Sequence, residues 1–193
     1  MSEERKLCNP GAIGLGGFAM TTFVLQIHNL GWVELGPVLW IGVFYGGLAQ
    51  LIAGYHEFKL GNNFGFSAFT SYGAFWMALC AFLIFGHNPD WVAANPTLKF
   101  SANGLGWFLV AWTIYTAIMF IASMKHHTVM ALLFLTLLLG FIGLDFKELA
   151  GSQAIGTLAA WDLIVCAGIA WYLMAHIICA DVGIHLPVGK PWT

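Results

Sequence analysis

The sequence predicts an all-α membrane protein of six transmembrane helices, and three observations carry that reading. Six uncharged apolar stretches are each close to the roughly 20 residues that about 30 Å of hydrocarbon demands of a helix. The composition is 60% hydrophobic and 8% charged, where a soluble domain carries about 25% charged residues, and the mean hydropathy is +0.81. Of seven basic and nine acidic side chains, only Asp162 falls within a stretch, and an ionised group at a helix centre costs about 2.5–3.5 kcal/mol. The expected spans are residues 11–28, 35–55, 64–85, 104–124, 128–144 and 158–179, in a single transmembrane domain covering residues 1–193.

The first span opens on Asn9 and Pro10. Asparagine is a favoured N-cap, and proline at the first helical position gives up no bond because its missing N–H would have no partner there. The span is not a removable signal peptide: Glu3 and Glu4 precede it, no small-residue cleavage site closes a short apolar core, and five more spans follow. The second span carries Gly42, Gly46, Ala49 and Ala53 in one stripe. Such stripes let helix backbones approach closely in lipid, either within one subunit or at an interface between subunits. His56 and Glu57 end this span beside Lys59, as a solvated helix end does. Between the third and fourth spans lie Gly86, Asn88, Pro89, Asp90, Asn95 and Pro96, a turn-prone connection too short to fold alone and placed to cap one mouth.

The fourth span opens on Gly104-Leu105-Gly106-Trp107-Phe108, an echo of Gly14-Leu15-Gly16-Gly17-Phe18. If spans one to three and four to six are repeats, the odd helix count makes the halves inverted, as in many transport folds; in so glycine-rich a chain, chance is the alternative. His126 and His127 precede the fifth span. In the sixth, Asp162 reads either as a desolvated proton carrier or as a carboxylate at headgroup level, and it is left out of the expected site.

Basic residues Arg5, Lys6, Lys59, Lys125 and Lys190 fall on one side, and Lys99 and Lys147 on the other. Positive-inside counting therefore places both termini in the cytoplasm of a multi-pass cell-membrane protein. Cys8, Cys80, Cys166 and Cys179 have no metal-type spacing and read as small apolar packing residues.

The chain begins its first span with Asn9-Pro10-Gly11-Ala12-Ile13-Gly14-Leu15. This resembles the Asn-Pro-Ala-Pro-Leu-Gly-Leu signature of the acetate uptake transporter family, succinate-acetate permease type. Phe18-Ala19-Met20-Thr21-Thr22, His28-Asn29, Phe44-Tyr45-Gly46-Gly47-Leu48-Ala49-Gln50 and Phe69-Thr70-Ser71-Tyr72-Gly73-Ala74-Phe75-Trp76 continue the match in order and at family-like spacing. The departure, Ala12 in place of the family's second proline, concerns how the chain enters helix one rather than the substrate contact. The resemblance implies a urea-channel-like bundle of six helices per protomer, assembled as a homohexamer with one pore in each protomer. It implies transport of acetate and other short carboxylates such as succinate, by a proton-coupled symporter or an anion channel. It also implies an apolar constriction of Phe18, Tyr72 and Leu135.

The residues themselves allow such a pore. Phe18, Thr22, Leu25 and Asn29 form one helical face that mixes bulk with hydrogen-bonding groups, as a passage for a small amphipathic anion requires. Acetate needs donors near the mouths and a narrow apolar neck, and Asn9, Thr21, Thr22, Gln50, Ser71 and Tyr72 are candidate donors. For each, a helix–helix or backbone bond is the plainer role. Matching the family raises Asn9, Thr22, Gln50 and Tyr72 above the others. Pro10 and Gly14 belong to the expected site because they keep side chains away from the helix start, whose backbone N–H groups and dipole favour an anion.

Other classes fit less well. A channel for ammonia, urea or formate is the main alternative, and its fold could be the same. The seven histidines raise a membrane haem protein as a remoter one, but His28, His56, His126 and His127 sit at span ends and only His176 lies well inside a span, whereas bis-imidazole ligation needs two. An enzyme is not expected: there is no Ser/His/Asp order, no H-E-x-x-H and no paired carboxylates within the spans. Nor is a metal, another cofactor or a nucleic-acid partner, for which there is no basic patch. The expected partners are the carboxylate solute, the bilayer and further copies of the chain.

Overall fold

The structure is a computed structural model that describes residues 7–193. Glu3, Glu4, Arg5 and Lys6, which entered the signal-peptide and charge arguments, lie outside the described residues. Among the described residues, six helices are long and apolar enough to cross a membrane: α1 Gly11–Asn29, α2 Leu35–Lys59, α3 Asn63–Gly86, α4 Ala102–Ser123, α5 Thr128–Ala150 and α6 Gln153–Ala180. A short helix, Pro89–Ala94, lies in the connection from α3 to α4. Side chains cap three of the long helices: Asn62 Oδ1 accepts Gly65 N–H, Ser101 Oγ accepts Gly104 N–H, and His127 Nδ1 accepts Met130 N–H, at 3.1, 3.0 and 3.1 Å.

Two helices run well past the apolar stretches that announced them. Hydropathy stops at charge, but backbone hydrogen bonding does not. Thus α5 continues to Ala150, carrying Asp145, Lys147 and Glu148, and only Gly151, at φ +66°, turns the chain before α6 begins at Gln153. A left-handed residue at a helix end is where glycine has no steric penalty. Asp145 is accommodated because Thr113 Oγ1 of α4 donates to its carboxylate at 2.7 Å, and Lys147 Nζ lies 3.3 Å from Glu148. Asp162 is therefore not the only acid inside a helix. The early start of α6 sets it about 14 Å along the axis at 1.5 Å per residue, half-buried.

Helix α1 packs between α6 and α2, α3 packs on α2, and α5 lies between α4 and α6. Backbone-close packing explains the small-residue stripe. A side chain at Gly46 would run into the Thr21 side chain of α1, and one at Gly42 into Cys80 of α3, so this part of the stripe packs helices within one chain. The opposite face of α2 carries Trp40, Phe44, Leu48 and Ile52, all exposed. Residues Gly42–Ala49 form a π-helical stretch, the wider i→i+5 winding that often marks a functional or strained segment.

Helices α3 and α4 meet instead through large rings, with Phe75 stacked on Phe108 at 5.7 Å and Tyr115 donating to Ser67 O at 2.8 Å. The glycine echo does not extend to packing: Gly14 and Gly16 meet Phe69 and Met174, whereas Gly106 meets Leu149. After α6 the chain returns across the turn from α4 to α5. Val129 N–H donates to Val188 O at 3.1 Å, Trp192 N–H to Met124 O at 2.9 Å, and Tyr172 OH to Pro187 O at 2.7 Å.

Candidate functional site

Three cavities follow one another through the bundle. The widest, about 280 Å³, opens near the chain termini and is lined by Asn9, Gln50, Glu57, His126, His127 and His176 among others. It shares Phe18, Tyr72 and Leu137 with a much smaller cavity of about 30 Å³. That cavity shares Leu25, Phe75 and Leu144 with a third, of about 250 Å³, which reaches His28, Asn29, His87, Lys147 and Glu148 at the far side. The shared residues are the necks. The α1 face of Phe18, Thr22, Leu25 and Asn29 runs the length of the passage, since each borders at least one cavity in that order.

At the first neck the Phe18 and Tyr72 rings meet edge to face, centroids 6.1 Å apart. Their leucine partner is Leu137 and not Leu135. Two residues on a helix turn the side chain by about 200° at 3.6 residues per turn, so the two cannot share a face. Leu137 is buried at the neck, while Leu135 is half-buried and borders none of the three cavities.

Polar atoms along the passage are left without protein partners. Gln50 is 1% exposed, lines the wide cavity, and its Oε1 has no hydrogen bond; Thr22 Oγ1 and Trp76 Nε1, beside the small cavity, have none either. An unmet buried polar group costs about 1–3 kcal/mol. Three along one path mark a route for a solute or water that completes their bonding. Gln26 lines the small cavity as well and accepts from Asn29 Nδ2 at 2.9 Å.

The remaining expected residues divide. Asn9 lines the wide cavity and its Oδ1 accepts Gly11 N–H at 2.8 Å, just ahead of the Pro10 N-cap position. Pro10 O accepts the N–H groups of Ile13 and Gly14, each at 3.1 Å. With Gly11, Ile13 and Gly14 donors all engaged, the start of α1 is not the open ring of backbone donors that its sequence suggested. Neither Pro10 nor Gly14 lines the cavity; Gly14 makes room for the Phe69 ring. Thr21 packs on Gly46, and Ser71 Oγ pairs with the Tyr115 hydroxyl at 2.9 Å.

Tyr72 lies at the neck, but its hydroxyl is paired with Thr116 Oγ1 of α4 at 2.8 Å in a buried bond. The hydroxyl that the sequence suggested as a carboxylate donor thus also has a protein partner, in a bond that ties α3 to α4. Replacing Tyr72 by Phe should strand the Thr116 hydroxyl at a cost of about 1–3 kcal/mol. The expected result is a lower unfolding temperature in detergent with the neck's size cut-off unchanged, checked by thermal melts and uptake of solutes of graded size.

Sequence reasoning missed Gln26, Trp76 and Leu137. Gln26 and Trp76 each lie four residues beyond an expected site residue, Thr22 and Tyr72, so helical spacing alone could have found them. Leu137 stands in a leucine-rich run from Leu132 to Leu139 that gives no spacing cue.

The fold and the passage define a multi-pass membrane protein with a narrow, mainly apolar route through its helix bundle. The chain belongs to the GPR1/FUN34/yaaH family, which it matches over residues 1–187. It is 40% identical over 188 residues to the succinate-acetate/proton symporter SatP of Escherichia coli strain K12, covering 96% of this chain and 97% of that protein. Acetate permease A of Emericella nidulans is 39% identical over 72% of this chain and 49% of its own length. The ammonia transport outward protein 2 of Saccharomyces cerevisiae is 35% identical over 86% and 60%. Among solved structures, the bacterial acetate channel SatP superposes with a TM-score of 0.85 at 38% identity, over 95% of this chain and all of that one.

Proposed function

We propose that this protein carries acetate, and with it other short carboxylates such as succinate, across the cell membrane. The observation that carries the reading is the pairing of a near-full-length match to SatP with three successive, mainly apolar cavities that meet at two sets of shared apolar side chains. It is a transporter or channel, not an enzyme.

Acetate suits this lining at both its ends. Its carboxylate accepts from Gln50 Nε2 before the first neck and from Thr22 Oγ1, Trp76 Nε1 and Gln26 Nε2 beyond it, while Gln50 Oε1, an acceptor, is left to water and the methyl group slides past Phe18, Tyr72 and Leu137. A pocket that binds a solute through a few fixed polar groups and much apolar wall is the usual recognition design. Among the described residues, no lysine or arginine lines the wide or small cavity. Without a fixed cation inside, the anion is held weakly enough to leave, as rapid passage requires. Proton-coupled symport and channel conduction both use such a lining. Each protomer carries its own passage, six protomers form the assembly, and both termini face the cytoplasm.

Uptake of labelled acetate into proteoliposomes should exceed that of empty vesicles and fall when unlabelled short monocarboxylates compete. Equal uptake in both vesicle types defeats the reading. Repeating the assay with an inward proton gradient separates symport, where the gradient drives accumulation, from a channel, where it does not. The ammonia-exporter relative supports a second reading, passage of ammonia, which predicts flux insensitive to carboxylate competitors.

A further inference from the structure

Three imidazoles meet at the mouth of the wide chamber. His126 and His127 lie in the turn before α5, His176 lies near the end of α6, and all three line the chamber. His176, Asn9 and Ile177 also border a recess of about 380 Å³ beneath Leu7 and Cys8, so His176 stands between the recess and the Phe18 neck.

Hydrogen bonds give the rings different duties. His127 Nδ1 accepts Met130 N–H at 3.1 Å, so its lone pair is committed to capping α5 and the neutral ring carries its proton on Nε2. Burial, then the neighbouring His126 and His176, hold the His127 imidazole below its ordinary pKa. His176 Nδ1 lies 2.7 Å from Leu186 O. A carbonyl only accepts, so Nδ1 carries the proton and Nε2 keeps a lone pair. Adding a proton at His176 Nε2 breaks no existing bond and turns an acceptor into a charged donor. The His126 ring is held against Phe64, centroids 4.3 Å apart.

The other ionisable groups facing this mouth are Glu57 from α2, which accepts from Asn62 Nδ2 at 2.7 Å, and Cys8 and Asp181 in the recess. Lysine and arginine are absent from both linings among the described residues. Among the described residues that line this mouth, the side chains able to take up positive charge are the imidazoles.

We propose that His176, supported by His126 and His127, is a protonation-dependent capture site for the carboxylate of a short organic acid. This rests on the carboxylate-passage reading above. Imidazole is the side chain that gains charge between about pH 8 and 5, so capture tightens as the pH falls, while Glu57 across the chamber opposes an arriving anion whenever it is ionised. Linkage is reciprocal: if the proton tightens carboxylate binding, bound carboxylate raises the imidazole's proton affinity by the same factor.

Protein carrying 15N-labelled histidine, in detergent micelles, is titrated from about pH 8 to 5 in sodium acetate and in sodium chloride of equal ionic strength. The His176 signal is assigned by its loss in His176→Gln. Its midpoint should be higher in acetate, by an amount equivalent to about fivefold tighter binding to the imidazolium form, and that of exposed His56 should not move. An unchanged His176 midpoint overturns the proposal whatever the uptake assay gives; a shifted midpoint without uptake above empty vesicles leaves the capture site and overturns transport. In vesicles, His176→Gln should raise the half-saturating acetate concentration about fivefold at acidic pH and leave it unchanged near pH 8. An equal change at both pH values indicates a structural role only and counts against the proposal.

Discussion

Replacing Leu137 by Ala should widen the first neck and raise uptake of lactate or succinate relative to acetate by about tenfold, the low end of what roughly one methylene of fit is worth. The neck is formed by three side chains, two of them rings already in contact at 6.1 Å. Shortening the leucine therefore opens the one side that can yield without disturbing the Tyr72–Thr116 bond. The matched control is Leu135→Ala, which removes the same atoms two residues away. It should leave the acetate-to-lactate ratio at the wild-type value, because Leu135 borders none of the three cavities. Competitive uptake in proteoliposomes measures both variants, with light scattering to show that each remains folded. A shift in Leu135→Ala and none in Leu137→Ala would return the neck to the position first expected from the family resemblance.

The second large effect concerns Gly46. Leucine there meets the Thr21 side chain, which already leaves no room for a Cβ. Overpacking a close-packed interior costs about 1–3 kcal/mol and sometimes more, and here it strikes the contact between α1 and α2 beside the passage. Gly46→Leu should give aggregated or unfolded protein in mild detergent, not a well-folded smaller assembly. Gly46→Ala combined with Thr21→Gly, which removes the obstructing side chain, should recover a monodisperse protein with a cooperative thermal transition. A stable folded monomer from Gly46→Leu would restore the subunit-interface reading of the stripe.

These two cases show where sequence reading stops. The six spans were legible because transfer into lipid depends on composition summed over a window, a property of each segment alone. The face Phe18, Thr22, Leu25 and Asn29 was legible for a similar reason: helical periodicity is local, and one helix suffices to define it. The far end of α5 was not, since Asp145 looks like a boundary until Thr113 of α4 donates to it at 2.7 Å.

The sequence by itself determined the class of protein, the number of spanning helices, the family and one wall of the passage, all of which follow from local composition, periodicity or motif. Only the tertiary structure decided what crosses from one helix to another. It placed Leu137 at the neck instead of Leu135, turned the Tyr72 hydroxyl to Thr116, set Gly46 against Thr21, and gathered His126, His127 and His176 around one mouth. The physical reason is common to all four. In a bundle whose helices are apolar on every side, hydropathy does not say which face turns inward, and the choice is made by the fit of side chains against neighbouring helices.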